Sequence, residues 1–196
     1  MAIVSRGFSG RRHGGTDLPP GQYLTEDFPV LSAGPTPRVP LDRWEFTVTT
    51  ETGTTRRWDW PAFRQLPSER IVVDLHCVTR WSKLGTTWHG VSLDTLLGPV
   101  ETSADHALVH CYGGYTTNLR LDDLLDDGAL SAIKHDGQPL TPEHGGPLRL
   151  VVPRLYLWKS AKWVRGLVFM DRERPGFWET HGYHIRGDPW KEERYS

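Results

Sequence analysis

Residues 74–83 read DLHCVTRWSK, and they hold one of only two cysteines in the chain. The apolar or β-prone residues Ile71, Val72, Val73 and Leu75 lead up to Cys77. His76 stands before it, and Arg80, Trp81 and Lys83 follow. A core-like strand therefore ends on a thiol with basic and aromatic neighbours. A buried cysteine is commonly a small hydrophobe and nothing more. Positive charge nearby lowers a thiol's pKa and favours the thiolate, which is the form that attacks or binds metal. On these residues alone both readings stay open.

The second cysteine has a similar preface, His110-Cys111. Two His-Cys pairs suggest zinc, but ligands within one half of such a site normally stand two to four residues apart. Adjacent strand residues point to opposite faces, so His76 and Cys77 would not easily chelate one ion. Cys111 reads as a core or pocket-wall residue.

The rest of the composition bounds the answer. A chain of 196 residues suits one domain with long loops. Nine tryptophans carry much of the expected core, and twenty glycines and fifteen prolines imply many turns, hence a loop-rich β or α+β protein. Lys+Arg at 23 nearly balance Asp+Glu at 24, which argues against nucleic acid as a partner. No apolar run approaches the length needed for membrane insertion. Two cysteines make no disulfide framework, and the chain reads as cytoplasmic with reduced thiols.

The expected organisation is a flexible arm over residues 1–25 and a single domain over residues 26–196. Prolines 29, 35, 37 and 40 forbid a helix in DFPVLSAGPTPRVP, so residues 27–40 should lie extended over the body. RWEFTVTTETGTTRRWDW (43–60) predicts a hairpin turning at Thr52-Gly53. PAFRQL, SLDTLL and LRLDDLLDDGAL predict short helices. RIVVDLHCV, HALVHCY, PLRLVVP and KWVRGLVFM predict strands. The tail from Asp171 is too aromatic to be disordered and should dock on the body.

Three further stretches carry candidate chemistry. In HGGPLRLVVP (144–153), Gly145-Gly146 permits close backbone approach to a ligand, and an inward Arg149 requires an anionic partner. In LYLWKSAKW (155–163), Lys159, Ser160 and Lys162 form either a solvated turn or a phosphate cradle. In YGGYTTN (112–118), Tyr115, Thr116 and Thr117 offer hydroxyls at a turn or a pocket lip.

LHCVTRWS with the following WHGV, then HGGPLRLVVP, WKSAKWVRGLVF and GFWETHGYHIRGDPW, resembles the molybdopterin-dependent sulfite oxidase family. The likeness is to its small haem-free bacterial branch, which includes the methionine sulfoxide reductase catalytic subunit, and spans roughly residues 28 to 190 in order. It implies an α+β fold of mixed β-sheets with a barrel-like part and short helices. It implies molybdenum with molybdopterin and no haem, and two-electron oxygen-atom transfer on a small sulfur- or nitrogen-oxide substrate, with an unidentified electron-transfer partner. The family suggests a pterin without an added nucleotide. By the resemblance, Cys77 binds the metal. Leu31, Ser32, His144, Arg149, Ser160, Ala161 and Lys162 fall where the family holds the pterin, and Tyr112, Tyr115 and Thr116 fall near the substrate. Arg80 and Arg154 are candidates for gripping an oxyanion. Two rival readings are a cofactor-free binding protein of the same fold and a zinc-structured domain using both His-Cys pairs.

Overall fold

The computed structural model describes residues 18–125 and 128–196. Of the arm read over residues 1–25, positions 1–17 lie outside the described residues. The strands are β1 (Tyr23–Leu24), β2 (Glu45–Thr49), β3 (Thr55–Asp59), β4 (Glu69–His76), β5 (Trp81–Ser92), β6 (His106–Cys111), β7 (Thr116–Arg120), β8 (Leu130–His135), β9 (Gln138–Pro139), β10 (Arg149–Val151) and β11 (Val164–Met170). Among the described residues, four short α-helices accompany them: α1 (Trp60–Arg64), α2 (Leu93–Leu97), α3 (Leu121–Leu125) and α4 (Phe177–Thr180).

Local chemistry accounts for many of these. The alternating Phe46 and Val48 face inward from β2, which pairs with β3 around a turn at Gly53. Asp59 caps α1 by accepting from the Ala62 N–H at 2.9 Å, with Pro61 in the first turn where its missing N–H costs nothing. Ser92 caps α2 and Gly98 ends it.

The strands form two sheets. One has the order β3-β2-β11-β6-β7. Its β2–β11 pair is parallel, so the last strand returns beside one of the first. The other is built on β5, which pairs with β4, β1 and β8, while β10 and β9 flank β8. The sequence reading passed over β5, although it is the longest strand. Gly85 at φ 65° and Gly90 at a bulge break the apolar alternation by which a strand is read from sequence. A Cβ on Gly90 would meet the Ser131 carbonyl oxygen at 2.2 Å, so β8 can approach only glycine there.

The main core holds Trp44, Phe46, Phe63, Leu119, Leu124, Leu167 and Phe169. Each such side chain contributes about 1.5–3 kcal/mol by leaving water. A separate cluster gathers around the first cysteine: Cys77, Val78, Trp81, Tyr156 and Trp158, with Trp178 and Tyr183 of the tail packed against it. The tail is therefore docked, as its aromatic content predicts.

Candidate active site

β4 stops at His76, and Cys77 is the first residue beyond it. The Cys77 N–H donates to the Trp81 carbonyl at 2.9 Å, and the Arg80 N–H donates to the Cys77 carbonyl at 3.0 Å. These bonds close a tight turn between β4 and β5, with Arg80 held at φ 78°. The turn sets Cys77, 6 % exposed, on the wall of a cavity of about 500 Å³. The Thr79 hydroxyl donates to the sulfur at 3.1 Å. Burial raises the thiol pKa, while the Thr79 hydroxyl, the Thr79 and Val78 N–H groups and the Arg149 charge pull it down.

The cations adjacent in sequence are not the ones that act on the sulfur. Arg80 is exposed, and Lys83 donates to the Glu26 carbonyl. His76 is buried, with its Nδ1 2.8 Å from the Ser82 hydroxyl, and burial lowers its pKa to about 4, so it is neutral. The cation that favours the thiolate is Arg149, from a distant strand.

Arg149 is 2 % exposed and is held by shape and by one hydrogen bond. Its guanidinium lies 5.5 Å from the Phe28 ring centre and 5.7 Å from that of Trp88. One amino group donates to the His144 carbonyl at 3.1 Å, and the Nε is buried without a partner. Among the described residues no carboxylate forms an ion pair with it. Burial lowers its pKa to about 10, so it is charged at neutral pH.

The two stretches that the sequence reading set side by side are physically paired. Arg149 and Lys162 form an antiparallel bridge, supported by the Leu150 N–H to the Ala161 carbonyl and the Val164 N–H to the Leu148 carbonyl. Gly145 makes room for this crossing. At φ 107° it occupies the left-handed region, and a Cβ there would stand 3.0 Å from that of Lys162 and 3.2 Å from that of Arg149. The Lys162 ammonium donates to the Ser32 hydroxyl at 3.1 Å and to the Glu143 carbonyl at 2.7 Å. Burial, with help from Arg149, lowers its pKa to about 8.

The remaining candidates divide. Leu31, Ser32, Tyr112, Tyr115, Ser160 and Ala161 line the same cavity as Cys77, Arg149 and Lys162. Thr116 and His144 are off its wall. Thr116 pairs with His110 in the β6–β7 ladder, and His144 stacks behind Phe28 at 4.3 Å between ring centres. The His144 Nδ1 is buried without a partner, and burial, Arg149 and Lys162 keep the ring neutral by lowering its pKa. Ser160 accepts from the Val152 N–H at 2.9 Å. The Tyr115 hydroxyl donates to the Trp158 carbonyl at 2.7 Å, and that of Tyr112 is shared between the Glu45 N–H and carbonyl. Both tyrosines therefore shape the lip through their rings. Arg80 and Arg154 are not on the cavity wall.

Lys159 belongs neither to a solvated turn nor to a phosphate cradle, the two readings its sequence left open. It is fully buried and points away from the cavity. Its ammonium contacts Glu179 Oε1 at 2.7 Å, Asn118 Oδ1 at 2.8 Å and the carbonyls of Asn118 and Ile185. Sequence reasoning also missed Phe28, Trp158, Trp163, Phe177, Trp178 and Tyr183, which supply the aromatic wall. Phe177, Trp178 and Tyr183 belong to the aromatic tail, Trp158 and Trp163 to the stretch 155–163, and Phe28 to the extended segment 27–40. Among the described residues, no group of three or more His, Cys, Asp and Glu side chains is placed to hold a metal ion, and no helix is long and apolar enough to cross a membrane.

A family model for the oxidoreductase molybdopterin binding domain matches residues 33–178. The chain is 42% identical over 182 residues to the uncharacterized oxidoreductase YuiH of Bacillus subtilis, covering 91% of this chain and 92% of that one. It is 30% identical over 156 residues to the protein-methionine-sulfoxide reductase catalytic subunit MsrP of Burkholderia mallei, covering 70% of this chain. It spans only 47% of that relative's length. Among solved structures, the sulfane dehydrogenase SoxCD of Paracoccus pantotrophus superposes with a TM-score of 0.62 at 17% identity, over 70% of this chain and 40% of that one, which shows a shared fold.

Proposed function

The chain belongs to the molybdopterin-binding oxidoreductase family, in its small sulfite-oxidase-type branch, and from that premise we propose that it uses molybdenum–molybdopterin to carry out oxygen-atom transfer on a small sulfur- or nitrogen-oxide substrate. The observation that carries this reading is one cavity wall shared by a thiol, a buried arginine and a lysine: Cys77, Arg149 and Lys162.

The donor set fits such a cofactor. A soft thiolate suits a metal that also has sulfur ligands. Arg149 is a buried cation without a carboxylate partner among the described residues, an arrangement that is costly unless an anion completes it. Its planar fork packs beside the Phe28 and Trp88 rings, and its geometry suits a flat polar ring or a phosphate. Lys162 and Ser32 add a cation and a hydroxyl on the same side.

When bound, the molybdenum–pterin group supplies two-electron oxygen-atom transfer. The chain's own residues then have three tasks. Cys77 ligates the metal and the turn at 77–80 fixes the sulfur's direction. Arg149, Lys162, Ser32 and the backbone around Ser160 and Ala161 hold the pterin, with His144 supporting Arg149 through its carbonyl. Tyr112, Tyr115, Trp178 and Tyr183 exclude water and bound the substrate.

The substrate side supports a neutral oxide over an oxyanion such as sulfite. The cationic side chains on the wall, among the described residues, are Arg149 and Lys162, and the proposal assigns both to the pterin. The test is protein purified from a molybdenum-replete host. Wild type should carry molybdenum and yield a fluorescent oxidised pterin, and Cys77→Ser should lose the metal while keeping its melting temperature in the cofactor-free form. Wild type without metal or pterin refutes the proposal.

A further inference from the structure

Residues 27–38 run along the cavity as a strap fastened at its two ends. On the N-terminal side, Tyr23 and Leu24 pair with Trp81 and Ser82 of β5, and the Thr25 N–H donates to the Ser82 carbonyl at 2.9 Å. Lys83 adds its bond to the Glu26 carbonyl. On the C-terminal side, Val39 packs against the main core, and the Arg43 N–H donates to the Pro40 carbonyl at 3.2 Å. Between these ends, among the described residues, no backbone–backbone hydrogen bond ties the strap to the body. Val30 and Leu31 are exposed. A segment without ladder bonds and with little burial belongs to the part of a fold that opens at low cost. Pro29, Pro35 and Pro37 keep such a segment extended, so it moves as a semi-rigid arm.

Two contacts hold the strap down, and they reach the two cations of the cavity wall. The Phe28 ring lies beside the Arg149 guanidinium and stacks on His144. The Ser32 hydroxyl accepts from the Lys162 ammonium. Pro29, Leu31, Pro35 and Pro37 join these two residues in the wall. With the strap in place Arg149 is buried, so a ligand that pairs with its guanidinium has to come in beneath Phe28.

We propose that residues 27–38 are a lid for cofactor loading, which lifts from Arg149 and Lys162 to admit the pterin and is latched by it afterwards. The inference rests on the function proposed above, which supplies the ligand. An anion beside Lys162 fixes the ammonium that Ser32 accepts from, and it gives the Ser32 hydroxyl an acceptor of its own. Ligand that binds only beneath the closed strap stabilises the closed form by mass action. The lid thereby opens readily in cofactor-free protein and rarely in loaded protein, and closure excludes water from the cavity.

The experiment uses the full chain, made without cofactor and then supplied with molybdopterin and molybdate. A Cβ on Gly113, at the lip between β6 and β7, would stand 3.7 Å from the Pro37 Cβ. That is within the span of about 3.5–4.5 Å that a disulfide bridges. The Pro37→Cys/Gly113→Cys pair, oxidised before loading, should lose pterin uptake, read as fluorescence of the oxidised pterin, and reduction should restore it. Pro37→Cys alone should take up pterin equally under both conditions. Oxidised after loading, the pair should hold its pterin longer than when reduced. Trypsin gives a measurement without substitution, which carries the test if a cysteine at φ 87° prevents folding. Arg38 is exposed on the strap, and cleavage after it should be fast in cofactor-free protein and lost in loaded protein. Uptake by the oxidised pair equal to that of the reduced pair, or equal cleavage after Arg38 with and without cofactor, overturns the lid and leaves the proposed function standing. Wild type from a molybdenum-replete host without pterin overturns both.

Discussion

Lys159→Met tests the largest correction to the sequence reading. The ammonium is fully buried and pairs with Glu179 Oε1 at 2.7 Å. The substitution removes the charge and leaves the Glu179 carboxylate with two neutral donors, the Thr117 hydroxyl and the Trp158 indole N–H, each at 2.9 Å. It also leaves the Asn118 and Ile185 carbonyls and Asn118 Oδ1 without their common donor. Removing one partner of a buried pair costs about 3–5 kcal/mol, because an uncompensated charge stays behind. For a chain of this size each kcal/mol shifts the melting temperature by about 2–4 °C, so the expected loss is about 6–20 °C. Thermal or urea unfolding of cofactor-free protein measures it. Glu179→Gln should cost a similar amount, and the double variant less than the sum, since the two side chains share one network. Trp158 is on the cavity wall and accepts the Tyr115 hydroxyl at its carbonyl, so both single variants should also retain less cofactor. A phosphate-cradle role predicts the opposite pattern: Lys159→Met would melt within about 1 kcal/mol of wild type and lose only cofactor. That result would refute the interior ion pair.

Gly145→Ala places a Cβ at φ 107° against the Arg149–Lys162 crossing and should cost about 1–3 kcal/mol, with cofactor content falling further than stability; matched melting and metal assays measure both. Lys162 has a folded pKa of about 8 against 10.5 for the free side chain. Between those values the unfolded chain binds the extra proton, so stability of the cofactor-free protein should rise from pH 8 towards 10.5. Urea midpoints across that range should show the rise in wild type and a flatter curve in Lys162→Met. An anionic ligand beside the ammonium reverses the preference, so cofactor retention should weaken as pH rises through about 8.

The sequence by itself determined the family, the hairpin at residues 45–59, the capped helices and the docking of an aromatic tail, and it set the order of the segments proposed to hold the cofactor. These are local properties: alternation, capping residues, turn glycines and contiguous motifs survive in a linear reading. Tertiary structure decided which side chains in irregular stretches face the cavity. Lys159, Ser160 and Lys162 are near neighbours in a segment with no period, and only packing turns the first towards Glu179 and the last towards Ser32. It also decided which cation acts on the thiol. Arg149 does so from another strand, while Arg80, three residues away, faces solvent. Electrostatic influence follows distance and burial, and separation along the chain measures neither. The hydrogen bonds of Gln22 and Arg194 to the Cys77 turn have the same origin, because segments so far apart along the chain meet only when the sheets have formed.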